Sequence, residues 1–188
     1  MSIDSELHTF IAVDVETSGP YPGKYSLLSI GACTLLEPRQ TFYVELQPVS
    51  SNFVPQAVAI SGLNLAELSE TGLPPEEAMT RFDEWLKDVL PAGSKPVFVA
   101  FNAPFDWMFV SDYFYRFLGH QPFGHAALDI KAFYMGMSGG AWAETSMKYV
   151  SERYLDDRHL THNALKDAID QADIFVKMLG DSRQFAEN

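Results

Sequence analysis

Apolar and polar positions along the chain fall into short extended runs followed by segments with helical spacing. Phe10–Thr17 reads Phe-Ile-Ala-Val-Asp-Val-Glu-Thr, an aromatic and β-branched run that predicts a strand. Side chains alternate faces along a strand, so Ile11, Val13 and Val15 share a face of core character and Asp14 and Glu16 share the other. A Gly/Pro-rich turn from Ser18 to Lys24 ends it. Ser26–Leu36 and Thr41–Leu46 predict two more strands in an antiparallel meander, separated at Glu37-Pro38-Arg39. Short helical stretches follow within Gln56–Leu68. Pro74-Pro75-Glu76-Glu77 then starts a helix that runs to about Leu90, with Met79, Phe82, Trp85, Leu86 and Val89 on one face.

Pro96–Phe101 is apolar throughout, as a strand buried on both faces would be. Asn102-Ala-Pro-Phe-Asp106 opens a helix that reaches about Leu118. Ala127–Tyr134 reads as strand or helix, and Met135–Gly140 as a flexible glycine-rich connection. Glu144–Tyr154 predicts a helix. The last helix, Asn163–Leu179, carries Leu165, Ala168, Ile169, Ala172, Phe175, Val176 and Leu179 at helical spacing. Strands first, then helices alternating with strands, predict an α/β layered fold. With no internal repeat or linker, residues 1–188 read as one domain.

Composition narrows the reading in three ways. No apolar run approaches the roughly 20 residues needed to span a bilayer, so no membrane partner is expected. Cys33 is the only cysteine, which excludes an intrachain disulfide and fits a reducing cytoplasm. The formal net charge of −12 opposes long-range attraction to a nucleic-acid backbone, so a polyanionic partner would have to be held locally. That favours a chain end or a short piece over a long tract.

Candidate chemistry collects at three places. Asp14 and Glu16 sit side by side at a strand end, either as solvated acids or as oxygen ligands for Mg²⁺ or Mn²⁺. Asp106 stands one short turn beyond the apolar strand Pro96–Phe101. His162 precedes the last helix and Asp167 lies about one turn inside it. If the two strands are neighbours, their carboxyl ends bring these acids together where open α/β sheets place ligands. Four carboxylates can hold two divalent ions for an in-line displacement at phosphorus. A histidine, which changes charge near neutral pH, can take the proton of the attacking water.

Asp14-Val-Glu16-Thr-Ser-Gly, Asn102-Ala-Pro-Phe-Asp106 and His162-Asn-Ala-Leu-Lys-Asp167-Ala resemble the three motifs of the DEDDh 3′–5′ exonuclease superfamily. That superfamily includes polymerase proofreading subunits, ribonuclease T and oligoribonuclease. The resemblance covers about residues 8 to 180. It implies a ribonuclease H-like fold, a five-stranded mixed sheet with helices on both faces. It also implies two Mg²⁺ or Mn²⁺ ions on Asp14, Glu16, Asp106 and Asp167, with His162 as the base. The product would be a nucleoside 5′-monophosphate released from a single-stranded DNA or RNA 3′ end. Thr17 and Ser18 match positions whose backbone contacts the terminal nucleotide in that superfamily. Phe105 and Trp107 flank Asp106 and either line the nucleotide pocket or pack in the core. The superfamily often follows its first motif with a leucine that wedges between bases. Here the chain runs Thr17-Ser-Gly-Pro20-Tyr21, leaving Tyr21 as the candidate.

Two other functions fit the same residues. One is a phosphodiesterase restricted to very short oligonucleotides, which the acidic surface tolerates best. The other is a partner-docking subunit of a polymerase or similar machine, with catalysis secondary. A homodimer is a further family expectation. Lys148, Arg153, Arg158 and Lys166 surround the third motif as either phosphate contacts or a solvated face, and Asp112, Asp170 and Asp173 read as solvated helix faces.

Overall fold

The computed structural model describes residues 7–155 and 161–186, with side chains through residue 182. Five strands form one mixed sheet: β1 (His8–Thr17), β2 (Leu27–Thr34), β3 (Thr41–Glu45), β4 (Lys95–Ala100) and β5 (Ala127–Asp129). Their order across the sheet is β3-β2-β1-β4-β5. β1, β2 and β3 pair antiparallel, whereas β4 pairs parallel to β1 and β5 parallel to β4. The two halves of the sheet therefore follow from connection length. Short turns join the meander, and helical crossovers join the parallel strands.

Between β3 and β4 lie α1 (Pro55–Ser61), α2 (Leu65–Thr71) and α3 (Pro75–Val89). α4 (Ala103–Tyr113) follows β4 and continues into one π-helical turn, Phe114–Leu118. α5 (Ile130–Ser138) follows β5 directly. A 3₁₀ turn, Trp142–Thr145, leads to α6 (Met147–Tyr154), and α7 (Ala164–Ala186) closes the chain.

Strand alternation divides the core in two. Ile11, Val13 and Val15 of β1 join Met79, Phe82 and Leu86 of α3 and Phe109, Val110 and Tyr113 of α4 on one face. Ala12 joins Cys33, Val150, Tyr154, Ala172, Phe175 and Met178 beneath α6 and α7 on the other. β1 is thus covered on both sides, and Asp14 and Glu16 continue the row that begins with Ala12, on the α7 face. The Tyr113 hydroxyl accepts the Leu27 N–H at 2.9 Å and ties α4 to the start of β2.

Three expectations are corrected. Met135–Ser138 is helical rather than part of a flexible connection: α5 runs through Gly136 to Ser138 and ends on Gly139, whose left-handed backbone (φ 67°) suits a residue without Cβ. Ala127–Tyr134 is both strand and helix, changing type at Asp129, whose carboxylate accepts the Ala132 N–H at 2.6 Å. Asp170 is buried rather than solvated, Asp173 binds Arg39 at 2.6 Å, and Asp112 pairs with Arg116 at 2.6 Å.

α7 lies unusually close to the sheet. Any Cβ on Gly31 of β2 would overlap the backbone of Ala164 and Leu165. Glycine is required there by that contact rather than by its backbone angles.

Candidate active site

The site forms because β1 outruns its parallel neighbour. Its register with β4 stops at Ala12↔Val99, whereas its pairing with β2 continues to Thr17↔Leu27. The register with β2 shifts between Glu16 and Thr17, an irregularity of the kind that re-aims side chains beside functional sites. Past Ala12, the edge of β1 facing β4 is left for other partners. The Val15 N–H donates to Asp106 Oδ1 at 3.1 Å.

Asp106 reaches this position from the first turn of α4. Asn102 adopts a left-handed conformation (φ 65°) between β4 and α4, and Pro104 occupies the first turn, where its missing N–H costs nothing. Asp129 fixes the same corner from β5. Its Oδ2 accepts the Ala103 N–H at 2.6 Å while Oδ1 caps α5.

The third segment is folded back on itself. Asp167 Oδ1 accepts the Thr161 N–H and Oδ2 accepts the His162 N–H, each at 2.9 Å. The pair of bonds holds the approach to α7 over its own first turn, with His162 in a left-handed conformation (φ 54°). Asp167 is buried, and His162 is exposed. Glu16, His162 and Asp167 each bring one potential ligand atom to within 4.8 Å of the other two.

Electrostatics bind Asp14 to all three remaining acids. Burial lifts its carboxyl well above the usual carboxylate range, and the charges of Asp106, Asp167 and Glu16 push it further. Asp106 is raised by burial and by Glu16 and Asp129, against the opposing pull of its backbone hydrogen bonds. Glu16 is pushed up to about 7, by burial first and Asp167 second. Four acids from three segments distant in sequence thus share one electrostatic site. Without a counter-charge, Asp106, Asp167 and Glu16 add to burial in making Asp14 harder to ionise. A hard divalent cation fits this donor set of carboxylate oxygens with one imidazole beside it.

The other expected residues divide. Thr17 is buried and its hydroxyl donates to the Gly19 carbonyl at 2.9 Å. Ser18 is fully buried, and its backbone N–H donates to the Ser26 carbonyl at 2.8 Å. Its hydroxyl accepts from the Ser26 N–H and donates to the Asn52 carbonyl, and its own carbonyl accepts the Val54 N–H. Ser18 therefore offers no spare donor to a nucleotide; it anchors the 50–54 loop to the end of β1. Phe105 packs on Phe109 with ring centres 5.5 Å apart, and Trp107 meets Phe98 edge-on at 5.5 Å. Both rings are only partly buried, so core packing leaves part of each accessible. Tyr21 is exposed and stands edge-on to Tyr25 at 5.2 Å. Among the surrounding basic residues, Arg153 lies 3.4 Å from Asp181, and Arg158 lies outside the described residues.

Asp129, an acid in an apolar segment that the sequence offers as a hydrogen-bond acceptor supporting the site, caps α5 and clamps α4. One residue escaped the sequence reading altogether. Gln171 was hidden by the apolar stripe around it. It is buried, its Nε2 donates to Asp14 Oδ1 at 2.6 Å, and its Oε1 accepts the Phe101 N–H at 2.9 Å. The available signal was its spacing: Gln171 follows Asp167 by four residues and so shares its helix face.

Residues 11–175 match the exonuclease family of the ribonuclease T type. The chain is 46% identical over 175 residues to the 3′-5′ DNA exonuclease Cap18 of Escherichia coli, covering 93% of this chain and 92% of that protein. In structure it resembles the nuclease domain of 3′hExo, a DEDDh family member bound to rAMP, with a TM-score of 0.77. That likeness holds at 17% identity and covers 95% of this chain and 94% of the other. Exonuclease I of E. coli, in complex with an oligonucleotide, is similar with a TM-score of 0.69 at 18% identity, over 94% of this chain and 42% of that one.

Proposed function

Since the chain belongs to the DEDDh 3′–5′ exonuclease family, we propose that it hydrolyses single-stranded DNA from the 3′ end, releasing nucleoside 5′-monophosphates with the help of two divalent ions. The observation that carries this reading is the convergence of Asp14, Glu16, Asp106 and Asp167 at the free end of β1, with His162 beside them. DNA is favoured by the similarity to Cap18 along nearly the whole chain. Magnesium and manganese both suit the oxygen-rich donor set. The single cysteine, Cys33, is buried in the α7-facing core, which accords with a reducing cytoplasm.

When bound, the ions would stabilise the attacking and leaving oxygens of an in-line displacement at phosphorus. Asp14, Glu16, Asp106 and Asp167 would hold them, and neutralising those carboxylates relieves their mutual repulsion. His162, exposed on a turn beside Glu16 and Asp167, takes the proton from the attacking water. The left-handed turn keeps its side chain at the mouth of the site. Thr17, at the bulge that ends β1, and the accessible parts of Phe105 and Trp107 flank the terminal nucleotide, where ring stacking is tolerant of sequence.

His162→Ala is expected to reduce the turnover number by about 10²–10⁴-fold, the span of general acid–base contributions, while Mn²⁺ binding persists. A titration followed by electron paramagnetic resonance reads the binding. Loss of Mn²⁺ binding would make His162 a ligand instead.

The direct test uses 3′- and 5′-labelled DNA and RNA strands, from two to about thirty nucleotides, with Mn²⁺ or with EDTA. Stepwise loss of single nucleotides from the 3′ end of DNA, abolished by EDTA, is expected. Cleavage confined to the shortest strands would favour the oligonucleotide phosphodiesterase, which the net charge of −12 accommodates. Absence of cleavage on every strand would leave partner docking as the better reading.

A further inference from the structure

We infer that Gln171 is a positioning residue for the metal site: it holds one oxygen of Asp14 by a tether anchored in the backbone that leads to Asp106. The inference rests on the metal-site reading above. Its basis is a two-ended contact. Gln171 is buried, with 1% of its surface exposed. Its amide oxygen receives the Phe101 N–H at 2.9 Å, and its amide nitrogen reaches Asp14 Oδ1 at 2.6 Å.

Chemistry fixes which way the amide points. A backbone N–H can only donate, so the group facing Phe101 must be the amide oxygen. The NH₂ is then left for a carboxylate, which can only accept when ionised. The two contacts are mutually consistent and no flipped amide satisfies both. Gln171 thereby takes one lone pair of Asp14 Oδ1 and leaves the carboxylate's remaining lone pairs for other partners.

The location makes this more than a local bond. Phe101 immediately precedes the left-handed Asn102, whose turn launches α4 and carries Asp106. Gln171 itself lies one turn after Asp167 on α7. One side chain therefore spans the three segments that supply the acids. Its counterpart is the Val15 N–H to Asp106 bond, which ties α4 back to β1 next to Asp14. The two links close a ring through β1, α4 and α7. The hydrogen bond from Gln171 also opposes the repulsion at Asp14, since it favours the charged carboxylate. Groups that orient metal-binding side chains in this way commonly matter 10–100-fold for affinity or activity.

Gln171→Met preserves length and removes both contacts. For this variant, Mn²⁺ affinity without nucleic acid is expected to fall by about 10–100-fold, read by electron paramagnetic resonance. Exonuclease rates should recover in part at high Mn²⁺, so that the metal concentration for half-maximal rate rises more than the maximal rate falls. Gln171→Asn retains the amide but withdraws it by one methylene. It is expected to weaken Mn²⁺ binding in the same direction, which covers the case in which the methionine variant folds poorly. A purely structural role predicts lowered melting temperatures with unchanged Mn²⁺ affinity in the folded protein, and that result would overturn the inference. Wild-type protein that binds no Mn²⁺ would instead remove the metal-site reading beneath it.

Discussion

Asp14→Asn or Asp167→Asn leaves a folded protein whose exonuclease rate falls by about a thousandfold or more. Each change deletes a carboxylate from the cluster that would hold the metal ions. Such ions supply several kcal/mol of charge stabilisation, and about 4 kcal/mol corresponds to a thousandfold in rate. The fold should survive for a specific reason. Burial first, and the neighbouring acids after it, raise the Asp14 carboxyl well above the usual range, so a neutral amide avoids a buried charge and its repulsion in the metal-free protein. Its melting temperature in EDTA is therefore expected to equal or exceed that of the wild type. Asp167→Asn carries an offsetting cost, because Asp167 accepts the Thr161 and His162 N–H groups and the amide oxygen can satisfy only part of that pair. The Asp14 variant should accordingly be the more stable of the two. Near-full activity in either variant would remove that carboxylate from the proposed ligand set, whatever the stability result.

Without metal, the protein should lose stability as pH rises. Glu16 shows why. Its carboxyl ordinarily titrates near 4.5 and is pushed up to about 7 in the folded chain. The folded state therefore holds that proton more tightly than the unfolded state. This contribution is fully present below about pH 4.5, declines between about 4.5 and 7, and is gone above it. At 1.36 kcal/mol per unit the ceiling is about 3 kcal/mol, reduced by the solvent that reaches a partly exposed carboxylate. Asp14 and Asp106 shift in the same direction, so their contributions reinforce it. For a chain of this size, about 2–3 kcal/mol moves the melting temperature by roughly 5–10 °C. EDTA-treated protein should thus melt higher at pH 5 than at pH 8. Saturating Mg²⁺ or Mn²⁺ should restore much of the difference at pH 8, since a ligand at a hundred times its Kd contributes about 2.7 kcal/mol. A melting temperature that rises with pH in EDTA, or ignores metal at pH 8, would contradict this assignment.

The site was legible where local geometry determines chemistry. Strand alternation alone puts Asp14 and Glu16 on one face. The apolar run ending at Phe101, followed by Pro104, makes Asp106 an acid at the start of a helix. His162 and Asp167 fall on either side of the last helix's beginning. These inferences need only the periods of strand and helix, and the sheet order then supplies the convergence.

What stayed hidden depends on partners remote in sequence. Gln171 meets residues 157 and 70 positions away, so its partners cannot be read from its neighbours, and only its spacing from Asp167 points to a polar role. Ser18 has the composition of a turn residue, yet its bonds to Ser26, Asn52 and Val54 consume the groups a nucleotide would use. The segment around Gly136 looked flexible because glycine is a poor helix former. α5 persists there because Asp129 caps its start and Ile130 is buried beneath it.

Gly31 acts as a ruler for the site. With only a hydrogen between β2 and the first turn of α7, the helix rests on the sheet backbone itself. The height of Asp167 and Gln171 above Asp14 is thereby set by main-chain thickness rather than by a side chain that could adopt another rotamer. Adding one methyl group at that point would act as a shim, lifting both residues together. The separation of the acids is in this sense machined into the backbone, and the side chains inherit it.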